Sequence, residues 1–189
     1  MLVRGALQPS SSWRPHWRIS DAPIAVLDVE TTGLFPDRDQ RIWEIALIDR
    51  GGERFFESQD PTTGLGEDEP ELLSELFSLM EGLVILGHNV LFDLNFLAHR
   101  AERNDLRMPV LGFVDTLHIA RRLEPGLDGY RLHDIAEHLN LEARPTHRAL
   151  QDAKVCEEIF QLLVSNHHLV TLEDVGVRRF GHVGSWGAS

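Results

Sequence analysis

The sequence predicts an α/β protein in which a mixed sheet is flanked by helices, and three observations lead to this class. Short apolar runs rich in β-forming residues recur along the chain, which is typical of buried strands. The run Asp49-Arg50-Gly51-Gly52 predicts a hairpin, and therefore an antiparallel pair of strands, early in the chain. Beyond the hairpin, strand-like and helix-like segments alternate, as they do where helices pack on a sheet.

Five strands are predicted. The first is a continuous apolar run that ends at a Thr31-Thr32-Gly33 turn, and the second is rich in β-formers. The third returns from the hairpin, and the last two are short apolar runs that lie between helical segments. The predicted strands cover residues 23–29, 42–48, 53–57, 83–86 and 112–114.

Five helices are predicted from apolar periodicity and from end signals. Pro70 suits the first turn of a helix, because proline lacks an N–H that this turn would leave unpaired. Asn89 or a near neighbour is expected to cap the second helix. The last helix is the longest, with apolar residues at helical spacing. The predicted helices cover residues 70–80, 89–103, 115–122, 132–139 and 149–164.

A single domain is predicted for residues 21–166. Residues 1–20 are expected to form an N-terminal tail, and residues 167–189 a C-terminal tail with a mobile end rich in Gly and Ser. Apolar residues make up 42% of the chain, which argues against disorder throughout. The single cysteine and the lack of an apolar run of about 20 residues predict a cytoplasmic protein without a membrane span.

The formal net charge is −12, which argues against a protein that holds nucleic acid by bulk electrostatic attraction. A local metal site is compatible with this charge, because bound cations reverse the field around them. The arrangement of the acidic residues therefore matters more than their number.

Two carboxylates, Asp28 and Glu30, interrupt the end of the first predicted strand. Residues two apart on a strand face the same side, so these charges raise each other's pKa or require a cation. A solvated strand end is the alternative, and the spacing alone does not decide between them. Asp152 favours the cation, because it lies on the apolar stripe of the last helix, where a carboxylate needs a metal or an arginine.

Three further residues are candidates at or near predicted element ends. Asp93 lies near the start of the second helix, where a favourable interaction with the helix N-terminus is the simpler explanation. His147 converges with Asp152 only if it precedes the regular turns, where it would be exposed and suited to a general base; an ordinary surface histidine is the alternative. Glu44 is a weaker candidate for a metal ligand, and we favour a salt bridge at the edge of the core.

Three segments resemble, in order, the motifs of the DnaQ-like (DEDDh) 3′→5′ exonucleases, which include the proofreading epsilon subunit of bacterial DNA polymerase III. The three segments are Asp28-Val29-Glu30-Thr31-Thr32-Gly33-Leu34, His88-Asn89-Val90-Leu91-Phe92-Asp93 and His147-Arg148-Ala149-Leu150-Gln151-Asp152-Ala153. The likeness runs from about residue 23 to residue 164. Residues 58–69 lack the Ile-His-Gly-Ile-Thr-like segment of the proofreading branch, which leaves the branch open.

The resemblance implies a ribonuclease-H-like fold and hydrolysis of a phosphodiester with two divalent cations, Mg²⁺ or Mn²⁺. By the resemblance, Asp28, Glu30 and Asp152 bind one ion, and Asp93 acts with Asp28 on the second. His147 takes the proton of the attacking water, and a nucleoside 5′-monophosphate leaves. The residues implied in substrate binding are Thr31, Gly33, Leu34, His88, Asn89 and Phe92.

Some of these substrate roles have structural alternatives. For Phe92 a place in the core is favoured, and for His88 and Asn89 a purely structural turn is equally expected.

The expected substrate is a single-stranded or frayed 3′ end of DNA, which the protein trims or proofreads. An RNA-trimming exonuclease with the same chemistry is the alternative, and a catalytically silent binding module is less favoured because the whole acidic set and the histidine are present. The chain is expected to act alone, to form a homodimer, or to serve a polymerase or another repair protein as a subunit.

Overall fold

The computed structural model describes residues 13–36, 38–58, 60 and 62–181. Most of the predicted N-terminal tail, residues 1–12, lies outside these ranges. Residues 182–189, which make up nearly all of the predicted Gly- and Ser-rich end, also lie outside them.

A six-stranded mixed sheet forms the centre of the described chain. Its strands are Ile24–Thr31 (β1), Ile42–Asp49 (β2), Gly52–Glu57 (β3), Val84–Gly87 (β4), Leu111–Asp115 (β5) and Arg178–Phe180 (β6). They lie in the order β3-β2-β1-β4-β5-β6. The β1–β4 and β4–β5 pairs are parallel, whereas the β1–β2, β2–β3 and β5–β6 pairs are antiparallel.

Helices cover both faces of the sheet. In the described chain they are Glu69–Met80 (α1), Leu91–Arg103 (α2), Thr116–Leu123 (α3), Leu132–His138 (α4) and Ala149–Asn166 (α5), with a short 3-10 helix at Gly66–Asp68. One buried cluster joins α1 and α2 to the sheet, and a second joins α3, α4 and α5 to the opposite face. Within the described residues, no helix is both long enough and apolar enough to cross a bilayer.

Neighbouring strand residues divide between the two clusters, as the alternation of a strand requires. Leu27 and Ile85 pack on the side of α1 and α2, whereas Val26 and Leu86 pack on the side of α5. The predicted class, a mixed sheet flanked by helices, is therefore confirmed.

The described segments on both sides of residues 21–166 pack against the predicted domain. Trp13 is 7% exposed and lies over Gly112, where an added Cβ would come within 2.6 Å of the indole. Leu172 and Val175 are buried in the cluster on the α5 side, and β6 adds a strand to the edge of the sheet. The folded unit thus includes described residues that the periodicity assigns to tails.

The carboxyl ends of three neighbouring strands lie at one edge of the sheet, because β1, β4 and β5 run parallel. Glu30 lies near the end of β1, His88 directly follows β4, and Asp115 ends β5. Functional sites of α/β sheets form beyond this edge.

Candidate active site

The end of β1 presents both carboxylates to the α5 side of the sheet. Val29, between them, belongs to the buried cluster on the opposite side. In the pairing of β1 with β2, Asp28 lies opposite Ala46 and Glu30 lies opposite Glu44. Three acidic side chains therefore share a small area of one sheet face.

This crowding affects the protonation of both β1 carboxylates. Burial raises the pKa of Asp28 well above its usual value, and the charges of Glu30, Asp152 and Glu44 raise it further. Burial also raises the pKa of Glu30, as does Asp152, whereas His147 and Arg148 act in the opposite direction. Without a cation, the ionised form of the site is disfavoured.

Asp152 reaches the site from the first turn of α5. Its helix stripe, which continues through Cys156, Ile159 and Leu163, is buried as the periodicity predicts. The Oδ1 atom of Asp152 accepts a hydrogen bond of 2.7 Å from the backbone N–H of Thr146. The carboxylate therefore holds the loop that precedes its own helix.

His147 lies in that loop, before the regular turns of α5 begin at Ala149. Its φ of +57° places it in the left-handed region, which is uncommon for a residue with a side chain. Possible ligand atoms of Glu30, His147 and Asp152 all lie within 4.8 Å of one another. The exposed imidazole thus lies near both carboxylates, and His147 precedes the regular turns of α5, as this convergence requires.

Asp93 is buried in the first turn of α2, and its Oδ1 accepts a hydrogen bond of 3.1 Å from the N–H of Val29. Burial raises the pKa of Asp93 well above its usual value, and the charge of Asp28 adds to the effect. Asp93 is therefore more than a charge near a helix N-terminus, because it connects α2 to the acidic end of β1.

The segment after β1 forms a turn that is joined to the start of β2. The Thr31 hydroxyl donates to the Gly33 carbonyl at 2.6 Å, and the Thr32 hydroxyl accepts from the Arg41 N–H at 2.9 Å. A Cβ on Gly33 would come within 2.3 Å of the end of the Gln40 side chain, which would have to move to accommodate it. Leu34 is 71% exposed at the tip of this turn.

The structure gives His88 and Asn89 clear structural contacts. His88 Nδ1 lies 3.0 Å from the Thr116 hydroxyl, and the ring also bonds the backbone of Tyr130. Burial lowers the pKa of His88, which favours the neutral ring. Asn89 has a φ of +57°, and its N–H donates to Asp115 at 2.9 Å.

The prediction that Asn89 or a near neighbour caps the second helix is wrong. The helix begins at Leu91, and its N-cap residue Val90 forms no side-chain cap bond. Asn89 instead supplies the left-handed turn that leads into the helix, a conformation that asparagine tolerates well. Phe92 packs partly buried on the core cluster, with its ring centroid 5.1 Å from that of Phe96.

The salt bridge predicted for Glu44 is confirmed. Glu44 is completely buried and bonds Arg148, which also bonds Glu57. The sequence did not indicate that Arg148 and Glu57 take part in this ion-pair group, because the two residues lie 91 positions apart in the chain. Asp115 was also missed as a partner of Asn89, although an aspartate before a helix is a recognisable N-cap signal.

The fold and its acidic sheet edge agree with the motif resemblance, and comparison with known proteins identifies the family. The model of the RNase_T exonuclease family matches residues 60–160, which is more than half of the chain. The chain belongs to this family, and its resemblance to the DnaQ-like exonucleases is confirmed.

Two relatives illustrate the likeness. The 3′-5′ exonuclease DinG of Bacillus subtilis is 32% identical over 158 residues, a match that covers 72% of this chain and 17% of DinG. The DNA polymerase III subunit epsilon of Treponema pallidum is 33% identical over 169 residues, which cover 76% of this chain and 77% of that subunit. The chain therefore corresponds to a small part of DinG and to most of the epsilon subunit.

Among solved structures, exonuclease I of Escherichia coli in complex with a dT13 oligonucleotide has a similar fold. The TM-score is 0.65 at 20% sequence identity, and the match covers 78% of this chain and 42% of that one. This likeness supports the fold, including the ribonuclease-H-like arrangement expected from the motifs.

Proposed function

We propose that this chain is a 3′→5′ exonuclease that removes nucleoside 5′-monophosphates from DNA 3′ ends with the help of two divalent cations. The observation that carries the proposal is the convergence of Asp28, Glu30, Asp93, Asp152 and His147 at one edge of the sheet. These residues come from three separate elements, β1, α2 and α5, and from the loop before α5.

The donor set fits Mg²⁺ or Mn²⁺, because it consists mainly of carboxylate oxygens. Among the described residues, no Lys or Arg forms a salt bridge with any of these four carboxylates. Their charges therefore lack a directly bonded counterion in the described part of the chain. Asp28, Glu30 and Asp152 would hold one cation, and Asp93 with Asp28 a second. Such a pair of ions supplies an activated water and stabilises the leaving oxygen.

The chain's own residues have separable tasks in this proposal. His147, exposed at the loop before α5, takes the proton of the attacking water, since neutral imidazole is a suitable base near neutral pH. Asp152 holds the His147 loop by accepting the Thr146 N–H with one oxygen, and a carboxylate has a second oxygen to offer a cation. A possible ligand atom of His147 lies within 4.8 Å of those of Glu30 and Asp152. Binding a cation through His147 is therefore the alternative to its role as a base.

The substrate end is proposed to lie beside the turn after β1. Thr31, Gly33 and Leu34 border the terminal nucleotide, and the exposed Leu34 is available to pack against its base. His88, Asn89 and Phe92 shape the opposite side, and their contacts within the protein favour an indirect role. DNA is the favoured substrate because exonuclease I was solved with a DNA oligonucleotide, and the epsilon relative suggests a polymerase partner.

Incubation with 5′-labelled single strands tests the proposal. With Mg²⁺ or Mn²⁺, the labelled DNA should shorten stepwise from its 3′ end, and EDTA or Asp28→Ala should stop the reaction. An RNA strand of the same sequence separates the DNA proposal from RNA trimming. Shortening that survives both EDTA and Asp28→Ala would rule out the metal mechanism.

A further inference from the structure

Arg148, the residue after His147, lies between two carboxylates of the β2–β3 pair. Its Nε donates to Glu44 and a terminal nitrogen donates to Glu57. Glu44 and Glu57 are partners in the antiparallel register of these strands. The two strands thus present a matched pair of acceptors, and a guanidinium has the geometry to bridge them.

Glu44 also takes the place of a helix cap. The N-cap position of α5 is Arg148, whose side chain makes no cap bond to the helix. The second oxygen of Glu44 accepts the N–H of Ala149 at 2.8 Å, so a strand side chain satisfies an otherwise unpaired donor of the first turn. A side chain of β2 therefore caps the first turn of α5.

His147 is consequently held from both sides. On one side, the N–H of Thr146 is bound by Asp152, and on the other, Arg148 and Ala149 are bound by Glu44. A positive φ in a residue other than glycine persists where surrounding contacts determine it. These contacts fix the backbone of the loop on either side of the exposed imidazole.

We propose that Glu44, Arg148 and Glu57 form a carboxylate clamp that positions His147 against Glu30 and Asp152. The inference rests on the proposed function, because it assigns the clamp a task in the same reaction. The clamp contacts neither substrate nor metal in this assignment, and its members are positioning residues. Arg148 also gives Glu44 an ion-pair partner, and Glu44 lies directly opposite Glu30 in the β1–β2 register, where like charges destabilise each other.

An ordinary surface ion pair contributes little to stability, but the clamp differs from one because its Glu44 side chain is buried. The Glu44 side chain is 0% exposed, whereas those of Arg148 and Glu57 are 50% and 42% exposed. Glu44 accepts one bond from the Arg148 side chain and one from the Ala149 backbone, so a buried carboxylate fixes the path of the segment that follows His147. Substitutions at the exposed members loosen this path while the buried glutamate stays in place.

The chain contains a matched control for such substitutions. Lys154, which lies on α5, forms a 2.9 Å salt bridge with Glu53, which lies on β3 as Glu57 does. Their side chains are 41% and 47% exposed, close to the values for Arg148 and Glu57. Lys154→Gln therefore removes a similarly exposed ion pair to β3 that does not include a residue of the His147 loop.

The experiment measures kcat, KM and Mn²⁺ affinity for Arg148→Lys, Glu57→Gln and Lys154→Gln. Arg148→Lys keeps the charge but cannot reproduce the two-pronged contact, so kcat should fall by about tenfold to hundredfold, with KM and Mn²⁺ affinity unchanged. Glu57→Gln should show a smaller fall in kcat, and Lys154→Gln should match the wild type. Hydrogen exchange at the Ala149 amide should accelerate in Arg148→Lys and not in Lys154→Gln.

The outcomes separate this inference from the proposed function. An Arg148→Lys enzyme with the kcat of Lys154→Gln would overturn the positioning role alone. A loss confined to Mn²⁺ affinity would overturn it as well, since the clamp would then act on the metal site. An inactive wild-type protein would overturn the proposed function and the positioning role that rests on it.

Discussion

At the scale of single residues, the site is a group of acids that repel one another. Burial and mutual repulsion raise the pKa values of Asp28, Glu30 and Asp93. The adjacent Arg148 does not relieve this repulsion by a direct ion pair, because it bonds Glu44 and Glu57. The protein therefore maintains a destabilising arrangement that a bound cation would stabilise.

Replacing Asp93 with asparagine should stabilise the metal-free protein at neutral pH. A raised pKa in the folded state means that the carboxyl contributes stability below its unfolded pKa, near 3.8, and loses it as pH rises through the folded pKa. The asparagine side chain does not ionise, yet its amide oxygen can still accept the N–H of Val29. Relief of about 1 kcal/mol would raise the Tm by about 2–4 °C in a domain of this size.

Thermal unfolding in EDTA from pH 4 to pH 8 measures this effect. The Asp93→Asn advantage should grow as pH rises, while the variant's exonuclease activity should be lost. A Tm equal to or below that of the wild type at pH 7 would contradict the raised pKa.

His147→Ala should lower kcat by about 10²–10⁴-fold, the usual contribution of a general base. Mn²⁺ affinity should change little, because the carboxylates supply the main ligands. Single-turnover rates and Mn²⁺ titration of the same preparation measure the two quantities. A parallel loss of rate and of Mn²⁺ affinity would identify His147 as a metal ligand.

At the scale of elements, local periodicity explains what could be predicted. The first five strands and all five helices lie within a few residues of their predicted ranges, because nearly all of them bury a regular apolar pattern. The exception is β3, which has no buried residue and follows from the hairpin signal instead. β6 was missed, since Arg178-Arg179-Phe180 is short and mostly polar and becomes a strand only beside β5. Likewise, Asp28, Glu30 and Asp152 could be found from spacing, whereas the Glu44–Arg148 contact joins residues 104 apart.

The segment after α5 should contribute strongly to stability. Leu172 is completely buried against the α5 side of the core, so Leu172→Ala should cost about 2–5 kcal/mol of the free energy of unfolding. Val170, which is 42% exposed, provides the control, and Val170→Ala should fall within about 0.5 kcal/mol of the wild type. Urea unfolding measures both variants, and equal stabilities would show that the segment is dispensable for the fold.

At the scale of the whole molecule, the net charge favours a local cation site, and the topology of the sheet provides a place for it. A chain with a net charge of −12 gains little from bulk attraction to a polyanion, so a local cationic centre is the more effective way to engage a phosphate. The parallel strands supply the place, because their carboxyl ends gather side chains from distant parts of the sequence at one edge. The proposed function therefore depends above all on the binding of divalent cations at this edge.

Anomalous scattering at the manganese absorption edge, measured on crystals soaked in Mn²⁺, tests this binding. Two peaks should lie among the carboxylates of Asp28, Glu30, Asp93 and Asp152, and both should weaken or vanish in Asp28→Ala, because Asp28 is assigned to both cations. At saturating Mn²⁺, the lack of any peak at this edge of the sheet, or peaks only elsewhere on the molecule, would rule out the proposed metal site.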